Sequence, residues 1–134
     1  PIFTPPPTPT ATFTPTPSPS VDPSFTGLEH CNTDWWVEIK LNNTGSIPFR
    51  SMSLTIKDKD TDVVVTNLTD GFTNRDGCLK TTTKDVLQPG NTFVVSAESF
   101  SYDPTGHKLN ATIILCSNTG QAGTCVTQII GIKP

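Results

Sequence analysis

No run of apolar residues in this chain approaches the ~20 that a membrane-spanning helix needs, so no membrane span is expected. No window sets apolar residues at i, i+3, i+4 and i+7 over three turns, which leaves no amphipathic helix to build with. Positive charge is scarce: 9 Lys and Arg stand against 12 Asp and Glu, for a formal net charge of −3. Nucleic acid needs a basic face and is therefore not an expected partner. There is no CxxC pair and no clustered metal-ligand spacing, so zinc is not expected. No G-x-S-x-G elbow or similar context surrounds the many Ser, Thr and Asp residues. The two histidines, His30 and His107, lie far apart in sequence. No catalytic residue is nominated, no enzyme is expected, and no cofactor is called for. A sequence that opens on Pro1 rather than Met is expected to be a processed or trimmed chain.

What is present is concentrated at the start. In Pro1–Ser20, PIFTPPPTPTATFTPTPSPS, eight residues are Pro, eight are Thr or Ser, and none is charged. Each Pro removes a backbone donor and clashes with a preceding helical turn, and Pro is equally excluded from central strands. The expected state is an extended polyproline II-like arm, residues 1–23, rising about 3.1 Å per residue and so reaching about 60 Å over twenty residues. The rest of the chain, residues 24–134, is one domain with a radius of gyration of only about 13 Å. Such an arm can reach past its own domain onto a neighbour.

The domain reads as all-β. Val21–Ser24 is expected to be a hinge and Phe25–His30 a first edge strand. In Asp34–Leu41, Trp35, Val37, Ile39 and Leu41 fall on one face, while Trp36, Glu38 and Lys40 fall on the other, which predicts one buried and one wet face. Asn42–Ser46 is a turn in which Asn and Gly can take positive φ. Met52, Leu54 and Ile56 alternate with Ser and Thr. Val63–Thr66 is short and β-branched. Gly71–Lys80 is expected to be a loop fastened by Cys78. Thr92–Phe100, a row of Leu109, Ala111, Ile113 and Leu115, and Val126–Ile132 complete about seven or eight strands. This predicts an antiparallel β-sandwich or barrel. Cys116 and Cys125 flank a Gly-rich loop between two apolar strands and are paired across that hairpin, leaving Cys31 with Cys78. Two disulfides point to an extracellular, secreted or cell-surface protein.

The run WWVEIKLNNTGSIPFRSMSLTIKD, the turn LQPGNT and the segment YDPTGHKLNATIILC resemble the immunoglobulin-like beads of bacterial surface proteins. In those, NTGS follows the second strand and L-x-PG-x-T precedes a later one. A Thr/Pro stalk beside such a bead is similar to what secreted stalk proteins and subunits of glycosylated extracellular fibrils carry. The resemblance covers residues 30–134, with the stalk by composition. It implies an immunoglobulin-like antiparallel β-sandwich and brings no catalytic residues with it.

Several side chains are candidates for function. Within the arm, Thr10–Thr14 is free of Pro and alternates, with Ala11 and Phe13 on one side. Ile2 and Phe3 form a second apolar anchor. A solvated linker has no use for these residues, and Ile2, Phe3, Ala11 and Phe13 are the expected assembly contacts, able to add to an open sheet edge. Docking of arm onto bead is head-to-tail and propagates into a filament unless it closes a ring. The expected partner is therefore a second copy of this chain. Thr4, Thr8, Thr10, Thr12, Thr14, Thr16, Ser18 and Ser20 are candidate O-glycan acceptors, as in mucin-like stalks. Asn42, Asn67 and Asn110 each open an N-x-Thr sequon on an expected solvent-facing position. Glycans are thus expected as covalent groups. Trp36, expected to face outward, and Tyr102 are candidates for stacking on a sugar or partner, in a reading where the chain is a stalked carbohydrate- or ligand-binding module. Asp58, Asp60 and Asp62 alternate on a tight loop and are a candidate calcium set, although Val63 and Thr69 stand where an EF-hand loop requires Gly and Glu.

Overall fold

A computed structural model describes residues 3–6 and 18–134. The described residues form nine strands and no helix: β1 (Val21–Cys31), β2 (Asp34–Asn43), β3 (Ser51–Asp58), β4 (Val64–Asp70), β5 (Phe72–Asp76), β6 (Lys80–Lys84), β7 (Thr92–Ser96), β8 (Leu109–Asn118) and β9 (Ala122–Ile132). They make three antiparallel sheets, ordered β1-β2-β7, β4-β3-β8-β9 and β5-β6.

The period-two rows meet in one core. Val37, Ile39 and Leu41 of β2 and Val95 of β7 share a buried cluster with Met52, Leu54 and Ile56 of β3 and Leu109, Ala111, Ile113 and Leu115 of β8. Each such aliphatic side chain contributes roughly 1.5–3 kcal/mol on burial, so alternation alone suffices to choose the inward face. Phe49, Phe72, Leu87 and Phe100 plug the same cluster from outside the regular rows. Phe49 and Leu87 are locked by a backbone pair, each amide donating to the other's carbonyl at 3.0 and 2.9 Å.

Four sequence expectations give way here. Val21–Ser24, expected as a hinge, is already strand, with Val21 paired to Asn43, so the expected boundary after residue 23 falls inside β1. Thr92–Phe100 is strand only to Ser96, and Phe100 is held by an isolated bridge to Trp35. Gly71–Lys80, expected as a loop, contains β5 and the turn into β6, which accounts for strands beyond the seven or eight expected. The expected wet face of β2 is wet only at Lys40: Trp36 is 1% exposed and Glu38 4%. The last two findings have one cause, because the β5–β6 hairpin folds back over that row as a further layer.

The described residues contain no helix long and apolar enough to cross a membrane. Both disulfides join the expected partners, Cys31–Cys78 and Cys116–Cys125. The first ties the hairpin turn to the end of β1, and the second staples β8 to β9.

Candidate functional site

The root of the arm is built into the domain. The Ser18 carbonyl accepts from the Ser46 amide at 2.9 Å, and the Ser18 amide donates to the Ser46 hydroxyl at 2.8 Å. The Ser20 carbonyl accepts from the amides of Thr44 and Gly45, both at 3.2 Å, and its hydroxyl pairs with that of Thr44 at 2.7 Å. Gly45 permits this approach: a Cβ there would stand 2.6 Å from the Ser20 nitrogen and collide with the Ser18 carbonyl oxygen. The glycine of the NNTGS turn thus serves close packing rather than the positive φ expected of it. Ser20, expected on a free stalk, is part of the bead, whereas Ser18 is exposed. Asn43 holds the loop from within, donating through Nδ2 to the carbonyls of Ile47 (2.8 Å) and Leu87 (2.9 Å). Sequence reading missed Asn43, which looked like one more turn residue.

Of the arm itself, Phe3 and Thr4 are described. Phe3 is 88% exposed, so its own domain does not cover it. Ile2, Thr8, Thr10, Ala11, Thr12, Phe13, Thr14 and Thr16 lie outside the described residues.

The three sequon asparagines are half-buried and sit on strands β2, β4 and β8, so Asn42 is not the turn residue expected. Asn67 alone lies on an edge strand, β4.

Trp36 cannot stack on a sugar. Its indole N–H donates to Glu38 Oε1 at 3.1 Å, and the Arg75 guanidinium lies 4.1 Å over its ring. Glu38 is the centre of this inter-layer cluster. The Ser96 hydroxyl lies 2.9 Å from both carboxyl oxygens, and Asn74 Nδ2 reaches Oε2 at 3.4 Å and the Val94 carbonyl at 3.0 Å. The Arg75 amide donates to Ser96 Oγ at 2.7 Å, and the Gly77 amide to Glu29 at 2.9 Å. Burial pushes the Glu38 carboxyl up to about 7; the bonds from Ser96 and Trp36 oppose this and the neighbouring Glu29 adds to it.

The expected calcium trio does not converge. Asp58, Asp60 and His107 bring ligand atoms within 4.8 Å of one another, while Asp62 turns away at φ 62° and is exposed. The Asp58 carboxylate is fully buried and already engaged. Tyr102 donates to Oδ2 at 2.8 Å, His107 Nδ1 lies 2.6 Å from the same oxygen, and the Asp60 amide donates to Oδ1 at 2.9 Å. Burial pushes this carboxyl up, but these three partners outweigh it and bring it down to about 2. The Asp58 bond raises the His107 imidazole above its usual range. Calcium requires six to eight oxygen ligands, and two carboxylates, one of them already engaged by three partners, beside an imidazole do not supply them. The cluster instead braces the corner between β3 and β8. Tyr102 belongs to that brace, its ring 5.4 Å from Phe100 and its hydroxyl 2.7 Å from Thr61, rather than to an open binding face.

Every buried side-chain polar atom among the described residues has a hydrogen-bond partner, and those residues enclose no pocket. What they offer is surface, edges and an anchored arm. No protein-family model matches the chain, and no curated protein or solved structure matches it.

Proposed function

We propose that this chain is the structural subunit of a secreted, glycosylated extracellular fibril, polymerising head-to-tail as the N-terminal arm of one copy docks on the bead of the next. The observation that carries this reading is the arm's root. Ser18 and Ser20 are hydrogen-bonded to Thr44, Gly45 and Ser46, so the arm leaves the domain from a defined point. A loose tether needs no such anchorage, whereas a repeating contact does, because small errors in exit geometry accumulate along a filament. The exposed Phe3 ring supports the same reading, since nothing in its own bead shields it. Head-to-tail contacts are heterologous and open-ended.

The bead suits the role. Its three- and four-stranded sheets, with β2 beside β7 and β3 beside β8, fit an immunoglobulin-like arrangement. Two disulfides suit an oxidising compartment. Thr4 and the arm's other hydroxyls, with Asn67 on its edge strand, are the acceptors for glycan. The test is negative-stain electron microscopy of the purified full chain beside a variant lacking residues 1–17. The full chain forms particles of indefinite length and the shortened chain stays monomeric. A shortened chain that polymerises equally well refutes the arm mechanism.

A further inference from the structure

A sheet edge carries unpaired backbone donors and acceptors, and proteins that must avoid self-association blunt their edges with Pro, charge, bulges or covering segments. The edges of this domain differ in that respect. The β1 edge holds Pro23, Asp22 and Glu29 and a register shift between Phe25 and Gly27. The β4 edge is shorter, seven residues, ends on the charge of Asp70 and exposes Val64 and Leu68. The β7 edge is covered by β5, through Asn74 to the Val94 carbonyl and the Arg75 amide to Ser96. The β5–β6 hairpin carries Arg75, Asp76, Lys80 and Lys84.

β9 is 11 residues long, AGTCVTQIIGI. It has no Pro, no charge and no bulge beyond Cys125, although β1 of the other sheet packs against it without backbone pairing. Its pairing with β8 runs without a shift from Cys125 to Ile132. Beyond β8 its backbone finds no backbone partner among the described residues. Thr127, Gln128 and Ile129 are exposed, Ile129 by 64%. The neutrality extends further, for no charged residue occurs from Leu109 to Ile132.

We propose that the outer edge of β9 is the acceptor for the arm of a second copy, which adds Thr10–Thr14 as a further strand beside β9. This rests on the fibril reading above and names the docking surface that reading leaves open. Three features select this occupant. The arm is itself uncharged, so it meets an uncharged edge without desolvating a charge. Thr10-Ala11-Thr12-Phe13-Thr14 is the arm's longest stretch free of Pro, and Pro cannot donate to a ladder. Five residues is about the usual length of a strand. Backbone pairing supplies the affinity, and Phe13 supplies an apolar anchor on one side of the added strand.

The experiment uses the full chain in three forms: wild type, Phe13→Asp, and Thr127→Lys with Ile129→Lys. The two lysines replace exposed side chains, so circular dichroism and melting temperature stay at wild-type values. Polymer is measured by sedimentation and negative-stain microscopy at equal concentration. Both variants are expected to lose pelletable polymer. In addition, a chain carrying Thr12→Cys is mixed with one carrying Thr127→Cys, and a disulfide-linked mixed dimer, identified by mass, is expected. If the lysine variant polymerises like wild type while Phe13→Asp does not, β9 is not the acceptor and the fibril reading survives. If Phe13→Asp also polymerises like wild type, the arm mechanism falls and this proposal with it. If both cysteines placed in one chain close within a monomer and no mixed dimer forms, the arm belongs on its own β9 and the proposal is overturned.

Discussion

Glu38 and Asp58 are both buried carboxylates on the central strands of their sheets, yet they titrate in opposite directions, the first pushed up to about 7 and the second held down at about 2. Burial acts on both in the same sense. The difference lies in the partners. Glu38 receives neutral donors, Ser96 and Trp36, and has Glu29 nearby. Asp58 receives Tyr102, a backbone amide and an imidazole that can carry positive charge. A buried acid follows its desolvation unless enough donors, one of them cationic, converge on it. Glu38 therefore glues a hairpin to a sheet in its neutral form, and Asp58 braces a corner in its ionised form.

The strongest way to break the inter-layer cluster is Trp36→Ala, which empties the largest side chain beneath the hairpin. It is expected to lower stability by about 3–5 kcal/mol, read as a lower denaturation midpoint in urea. A glycan array is expected to show no change that tracks this substitution, since the ring is covered. Asp58→Asn attacks the corner instead. It removes charge-assisted bonds to Tyr102 and His107 and is expected to cost about 2–3 kcal/mol at pH 5, measured in the same way.

The comparison is sharpened by pH. As pH rises, an unfolded Glu38 ionises near 4.5 while the folded one waits until about 7. Its contribution is therefore complete below about pH 4.5 and lost as pH climbs to about 7. Asp58 runs the other way, from 3.8 unfolded to about 2 folded, so its contribution is complete above about 3.8 and lost as pH falls toward 2. His107, raised by Asp58, also loses its contribution as pH rises through its folded value. Glu38→Gln is expected to flatten the decline between pH 4.5 and 7, leaving the variant more stable than wild type at pH 8 by on the order of 2 kcal/mol. Thermal melts across pH 3–8 check this, and an unchanged slope contradicts it. Arg75→Ala is the smallest change. It removes the cation over Trp36 and is expected to cost about 0.5–1 kcal/mol, visible as a small drop in melting temperature with the hairpin still in place.

Much of this was legible in the chain. The rows of Val37, Ile39 and Leu41, of Met52, Leu54 and Ile56, and of Leu109 to Leu115 declared their buried faces by alternation, and the structure buries them. The cysteine pairing was legible because only one hairpin could bring Cys116 to Cys125. The opposite face of β2 was misread, because alternation reports which residues share a side and not what later covers that side. Two adjacent tryptophans were a signal, since a strand with large apolar residues on both faces suggests cover on both. Thr81, Thr82 and Thr83, β-branched and following a tight Gly77 turn, were a second hint that residues 72–84 form a hairpin. The Asp58 brace had no local signature, because its partners Tyr102 and His107 lie far along the chain.

By itself the sequence determined what the backbone could be. Prolines argued against helix and core strand in the first twenty residues, period-two apolar rows called for sheets, and neutral stretches were visible as neutral. Those are properties of single residues and near neighbours, set by torsional freedom and side-chain direction. The tertiary structure alone decided which polar groups are dry, which acid is neutral, and which strands lie at sheet edges. Those outcomes depend on segments distant in sequence arriving at the same place, where the loss of water changes the energy of every group it reaches.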